Sequence, residues 1–306
     1  MKPFGDRLLD AIDAKRAPCV VGLDPVVAYI PEEFARACGL SPQGDLEEQA
    51  RLVEAYCLQT LEAVHDLVPA VKPQMAYFEL FGAHGLRALE RCVEVARSYG
   101  LLVLMDGKRG DIGPTSQAYA EAYLGRAPRR PLGSDALTLN PYLGSDSLEP
   151  FAEVALQNQN GLFVCVRTSN PGSDALQGIL GPDGRAVYEV AADLVGDLNA
   201  KSVGESGYGS IGAVVGATQA EAARRLRARL PGVPFLVPGF GAQGGSLDTV
   251  RACFDAQGRG AIVNSSRAVM YPARFGKGPT RPGLDGIRGA AQDFVGAIRS
   301  VLCLGS

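Results

Sequence analysis

The chain has 306 residues, 46% of them hydrophobic and 21% charged, with a formal net charge of −3. These fractions exclude a disordered or fibrous chain. The mild acidity excludes the broad basic face that nucleic-acid or membrane-surface binding requires, while leaving room for a small anionic ligand held by a few placed cations.

The opening stretch, MKPFGDRLLDAIDAKR, is polar and amphipathic and lacks the apolar centre of a signal peptide. No apolar run reaches transmembrane length, so a soluble cytoplasmic chain is expected. Eight short apolar runs follow in order: Cys19–Leu23, Ala70–Met75, Leu101–Met105, Ala136–Leu139, Gly161–Val166, Gly212–Val215, Phe235–Val237 and Ala261–Val263. Between them lie helix-compatible segments, among them Leu46–Val68, Leu80–Tyr99, Pro114–Leu124, Ala186–Ala200, Gln219–Leu230 and Ser246–Phe254. Strand alternating with helix implies right-handed crossovers and a parallel sheet. Eight such units suit a closed (β/α)8 TIM barrel better than an open doubly wound sheet. With no linker-like shift in composition, residues 1–306 read as a single domain. Two connections, Pro25 to about Leu46 and Ser169 to Ser210, are long enough to suggest functional loops.

Seven cysteines, at positions 19, 38, 57, 92, 165, 253 and 303, never form C-x-x-C and read as buried free thiols of a reducing compartment. His65 and His84 are the only histidines, too few for a zinc site or a Ser-His-Asp triad to be assembled easily.

In a barrel of this kind the active site lies at the C-terminal ends of the strands. Those ends carry Asp24, Lys72, Asp106-Gly107-Lys108 with Asp111 beyond, Asn140, Ser169, the glycine-rich Pro238–Gly245 segment, and Ser266-Arg267. Asp106 and Lys108, two apart on an extended segment, share a face directed into the barrel mouth, where Lys72 can join them. Carboxylates at short range keep lysines as ammoniums, suiting Lys108 to donate a proton at neutral pH. A lone Asp-x-Lys is equally a structural ion pair; the second lysine and third acid favour catalysis. Asp111 lies past the strand, where it turns back or reaches another subunit.

Gly239-x-Gly241-x-x-Gly244 has the form of a dinucleotide fingerprint, but about twenty residues later the chain reads Ile262-Val263-Asn264, without an acid for a ribose. After a seventh barrel strand, such a loop together with Arg267 makes a phosphate site instead. Asp24 is suited to sugar hydroxyls or to closing its Asp-Pro turn. Ser169 and Asn140 are suited to a polar ring or to ordinary turns.

The ordered set resembles the orotidine 5′-phosphate decarboxylase family. The resemblance runs from FGDRL and VGLDP to VNSSR; its centre is Asp106-x-Lys108-x-x-Asp111-Ile112 with Thr115, preceded by Lys72 in VKPQMAYFE. TLNPYLG, RTSNPGS and PGFGAQGG resemble the longer bacterial branch. The resemblance implies conversion of orotidine 5′-phosphate to uridine 5′-phosphate (UMP) and CO2, without metal or organic cofactor, by a homodimer with shared active sites. It implies a catalytic network of Lys72, Asp106, Lys108 and Asp111, with Lys108 the proton donor to C6. Asp111 and Thr115 would enter the partner subunit's site. Asp24 would bind the ribose, Ser169 the pyrimidine, Gln243 and Arg267 the phosphate, with Asn140 a further substrate contact.

Two other readings stand beside it. Sugar-phosphate decarboxylases and aldolases of the same superfamily share D-x-K-x-x-D but stabilise an enediolate with magnesium; Lys72, where they need acidic metal support, argues against them. A non-catalytic nucleotide-binding barrel would keep Gln243 and Arg267 without needing the acid–lysine network.

Overall fold

A computed structural model describes residues 2–125, 132–240, 245–276 and 283–302. Eight strands, β1 (Cys19–Leu23), β2 (Ala70–Pro73), β3 (Leu102–Arg109), β4 (Ala136–Leu139), β5 (Gly161–Arg167), β6 (Ile211–Val215), β7 (Phe235–Val237) and β8 (Ala261–Ser265), close in sequential order into a parallel barrel. β8 pairs back onto β1 through Cys19–Val263, Val20–Asn264 and Val21–Ser265. The fold is the (β/α)8 barrel expected from the alternation.

Alternation along each strand divides the core into two layers. Val20, Ala70, Leu104, Ala136, Phe163, Val214, Leu236 and Ile262 fill the barrel interior, while their strand neighbours pack outward under the helices. The first helix, Phe4–Lys15, is amphipathic and plugs the N-terminal mouth: Phe4 and Leu8 join the interior cluster, and Phe4 meets Phe163 edge-on at 6.0 Å. Gly161 makes this possible, because a Cβ there would stand 2.1 Å from the Phe4 ring. Burying one such phenylalanine stabilises the closed floor by roughly 1.5–3 kcal/mol.

The departures from the sequence reading have local causes. β2 stops at Pro73 and a helix begins at Met75, leaving Gln74 as a single bridge to Asp106. β3 runs past Met105 to Arg109. The Pro25–Leu46 connection holds a short helix, Glu32–Ala37, and the helix Leu46–Val64 is capped by Asp45, whose carboxylate accepts the Glu48 N–H at 2.9 Å. The Ser169–Ser210 connection carries the short helix Asp174–Gln177 and the longer Val187–Asn199. The helix Ser145–Gln157, unassigned from sequence, contains Pro150 within its second turn. Cys19, Cys57, Cys92 and Cys253 are buried free thiols, whereas Cys38, at the end of its short helix, is exposed. Cys303 lies outside the described residues. Among the described residues no helix is long and apolar enough to cross a membrane.

Candidate functional site

The strand ends open into a cavity of about 1200 Å³. Lys72 and Asp106 form its charged floor, 4% and 7% exposed, with Lys108 beside them. Lys72 Nζ lies 2.6 Å from Asp106 Oδ2, and Lys108 Nζ lies 2.6 Å from Oδ1. Thr138 Oγ1 donates to Oδ1 at 2.9 Å, and Gln74 Nε2 donates to Oδ2 at 3.1 Å. One buried carboxylate thus receives four donors, two of them cations. Burial pushes its pKa up, but the Lys72 and Lys108 ammoniums prevail and hold it well below the usual carboxylate range. Lys72 shows the mirror image: burial pulls its pKa down, and Asp106 with Asp24 outweighs that and raises it.

Lys108 does not reach Asp106 by simple alternation. Between the pairs Met105–Leu137 and Arg109–Leu139, three residues of β3 face one of β4, and Lys108 takes a left-handed φ of 43°. A non-glycine residue there is sterically strained and is held by its surroundings. The Lys108 N–H that the ladder loses is taken up by Thr138 Oγ1 at 2.9 Å. The bulge therefore re-aims the lysine, as bulges beside active sites do. Gln74 and Thr138 were missed from sequence, although both left a signal. Gln74 stands two residues after Lys72, and Thr138 is the one hydroxyl in the buried run ALTL, where a polar group needs a partner.

Asp24 lines the same cavity, with Oδ1 buried and without a hydrogen-bond partner. Burial pushes its carboxyl up, opposed by the Lys72 ammonium. Nearby, Gly22 lets Ser266 close in: a Cβ on Gly22 would stand 1.9 Å from Ser266 Oγ. Arg267 opens the short helix Arg267–Met270 and lines the cavity, its guanidinium over the Phe275 ring at 5.7 Å. Gly239 adopts a φ of 94°, and its carbonyl accepts the Gly245 N–H at 3.1 Å, closing the base of the glycine-rich loop. Gln243, expected to grip phosphate, lies outside the described residues.

Ser169 and Asn140 both line the cavity; the Asn140 Oδ1 also accepts the Tyr142 N–H at 3.1 Å, so the turn role and the cavity position coexist. Asp111 and Thr115 are not brought to the charged floor within one chain. The Asp111 Oδ1 accepts the N–H of Ile112 at 2.8 Å, and Thr115 is exposed on the first turn of the helix Gly113–Leu124. Ile112, next to Asp111 in the chain, is 57% exposed. Among the described residues no three His, Cys, Asp or Glu side chains gather where a metal ion could bind.

The sequence model of the orotidine 5′-phosphate decarboxylase / HUMPS family matches residues 31–273. The chain belongs to this family. It is similar to the orotidine 5′-phosphate decarboxylase of Rhodopirellula baltica, at 46% identity over 89% of each chain, and to that of Streptomyces coelicolor, at 40% over 99% of each. Among solved structures it resembles the OMP decarboxylase of Leishmania donovani, at 33% identity and a TM-score of 0.76, covering 98% of this chain and 99% of that one. The family match covers the strands that carry Lys72, Asp106 and Lys108.

Proposed function

We propose that the chain decarboxylates orotidine 5′-phosphate to UMP and CO2, the last step of de novo pyrimidine nucleotide synthesis. The observation that carries this reading is the Lys72–Asp106–Lys108 array at the cavity floor, whose cations are suited to the charge that forms at C6. When the bond from C6 to the carboxylate breaks, its electron pair stays on C6 in an sp² orbital, with no adjacent carbonyl to receive it. The Lys108 ammonium, already oriented by Asp106, stabilises that carbanion as it forms and transfers a proton from Nζ to C6. Solvent then returns a proton to the neutral amine.

Asp106 holds Lys108 and stands near the substrate carboxylate, raising the ground state. Asp24 accepts from ribose hydroxyls, Ser169 and Asn140 contact the pyrimidine, and Arg267 with Gln243 takes the phosphate. Binding energy from the phosphate, remote from C6, is available to close the Gly239–Gly245 loop and organise the floor. Asp111 and Thr115 complete the partner subunit's site in a homodimer; the exposed Ile112 next to Asp111 supports that arrangement. This chemistry calls for no metal, and a buried lysine at position 72 disfavours the magnesium-dependent sugar-phosphate reading.

Purified protein mixed with orotidine 5′-phosphate and excess EDTA should consume the orotate absorbance and yield UMP. Absence of turnover that is restored by magnesium on a sugar phosphate would reverse the choice. Tight binding of UMP without turnover would favour a nucleotide-binding barrel. Arg267→Ala should raise KM by about 10- to 100-fold, the worth of a charge-assisted phosphate contact, with a smaller change in kcat. Steady-state kinetics decide it: an unchanged KM removes Arg267 from the phosphate site.

A further inference from the structure

Arg167 ends β5 and is 4% exposed, yet no reading of the reaction uses it. A bulge precedes it: Cys165 pairs with Val214 and Arg167 with Val215, so β5 spends one extra residue against β6. The Arg167 guanidinium forms an ion pair with Asp174 and donates to Ser173 Oγ at 3.5 Å and Gln177 Oε1 at 3.4 Å. It lies over the Tyr188 ring at 5.3 Å. Gln177 passes the constraint on, accepting the Thr168 N–H at 3.0 Å and donating to Thr168 Oγ1 at 2.7 Å. Thr168 Oγ1 in turn donates to Asn170 Oδ1 at 2.6 Å. Both neighbours of Ser169 are therefore fixed from one centre.

A buried guanidinium is costly, and an apolar side chain of similar volume would stabilise the fold as well or better. What an apolar residue lacks is a planar fork able to address a carboxylate, a hydroxyl and an amide together. We propose that Arg167 is a positioning residue for recognition of the base: through Gln177 it holds Thr168–Asn170 so that Ser169 meets the pyrimidine ring. The assignment rests on Ser169 contacting the base, as in the proposed function. Arg267, assigned to the phosphate end, opens the short helix that follows β8 and is braced by Phe275. The two ends of the ligand are thus held by separate elements, and their binding energies are separable by experiment.

Titration calorimetry with UMP and with ribose 5′-phosphate reads the separation. In Arg167→Met the Kd for UMP should rise about tenfold, while that for ribose 5′-phosphate changes less than about twofold. A merely structural role would weaken both ligands alike; that result, or unchanged UMP binding, overturns the assignment. If Arg167→Met does not fold, Asp174→Asn, at the 70% exposed end of the same ion pair, must show the same split. Wild-type protein that binds the two ligands equally tightly would overturn the base reading itself, and the assignment with it. A wild-type preference for UMP with no split in the variants would overturn the assignment alone.

Discussion

Lys108→Ala should lower kcat by at least about four orders of magnitude while leaving UMP binding within about tenfold of wild type. Two effects vanish together in this variant: the proton for C6 and the cation that stabilises the carbanion as it forms. The fold should tolerate the loss. Half of the Lys108 side chain is exposed, so water already screens much of its charge. Asp106 keeps Lys72, Thr138 and Gln74 as donors and stays satisfied. Single-turnover kinetics with calorimetry on UMP separate chemistry from binding. Wild-type-like turnover would remove Lys108 from its role. Loss of UMP binding in step with turnover would make it a binding residue instead.

The barrel was legible because its signal is repeated. Eight apolar runs, each bounded by polar helix-forming segments, agree on one architecture, and an error of two residues at any boundary changes nothing. Helix starts and strand ends near proline and glycine were shifted for reasons of local chemistry, as where Pro73 ends β2. At the cavity floor, charge and spacing point to Lys72, Asp106 and Lys108, which the structure brings together, but the reason Lys108 meets Asp106 is hidden. Alternation predicts a shared face, whereas the chain achieves the contact through a bulge and a left-handed φ at Lys108. Such strain depends on Thr138 from another strand, and pairing across strands is not written in either segment alone. The setting of Arg167 is hidden for the same reason: its partners, Asp174, Gln177 and Tyr188, come from a connection whose folding is set by tertiary contact. Asp111 and Thr115 mark a different boundary. One chain does not bring them to the charged floor, so the role proposed for them requires a second copy.

That role gives the second large effect. Asp111→Ala and Lys108→Ala should each be nearly inactive alone, and mixing them with subunit exchange should restore activity. In a twofold dimer whose sites combine Lys108 of one protomer with Asp111 of the other, each heterodimer holds one site with both residues and one with neither. Random exchange of equal amounts makes half of the dimers heterodimers, so recovery should reach roughly one quarter of wild-type activity per chain. Any model that keeps Asp111 in its own chain's site predicts none, because every site in the mixture then carries one lesion. Within one chain the Asp111 carboxylate accepts the N–H of the exposed Ile112 and is not among the residues that line the cavity. Differently tagged chains, co-purified to verify exchange and then assayed, decide between the two. Verified heterodimers without activity would place Asp111 outside the partner's site and reduce the shared active site to adjacency.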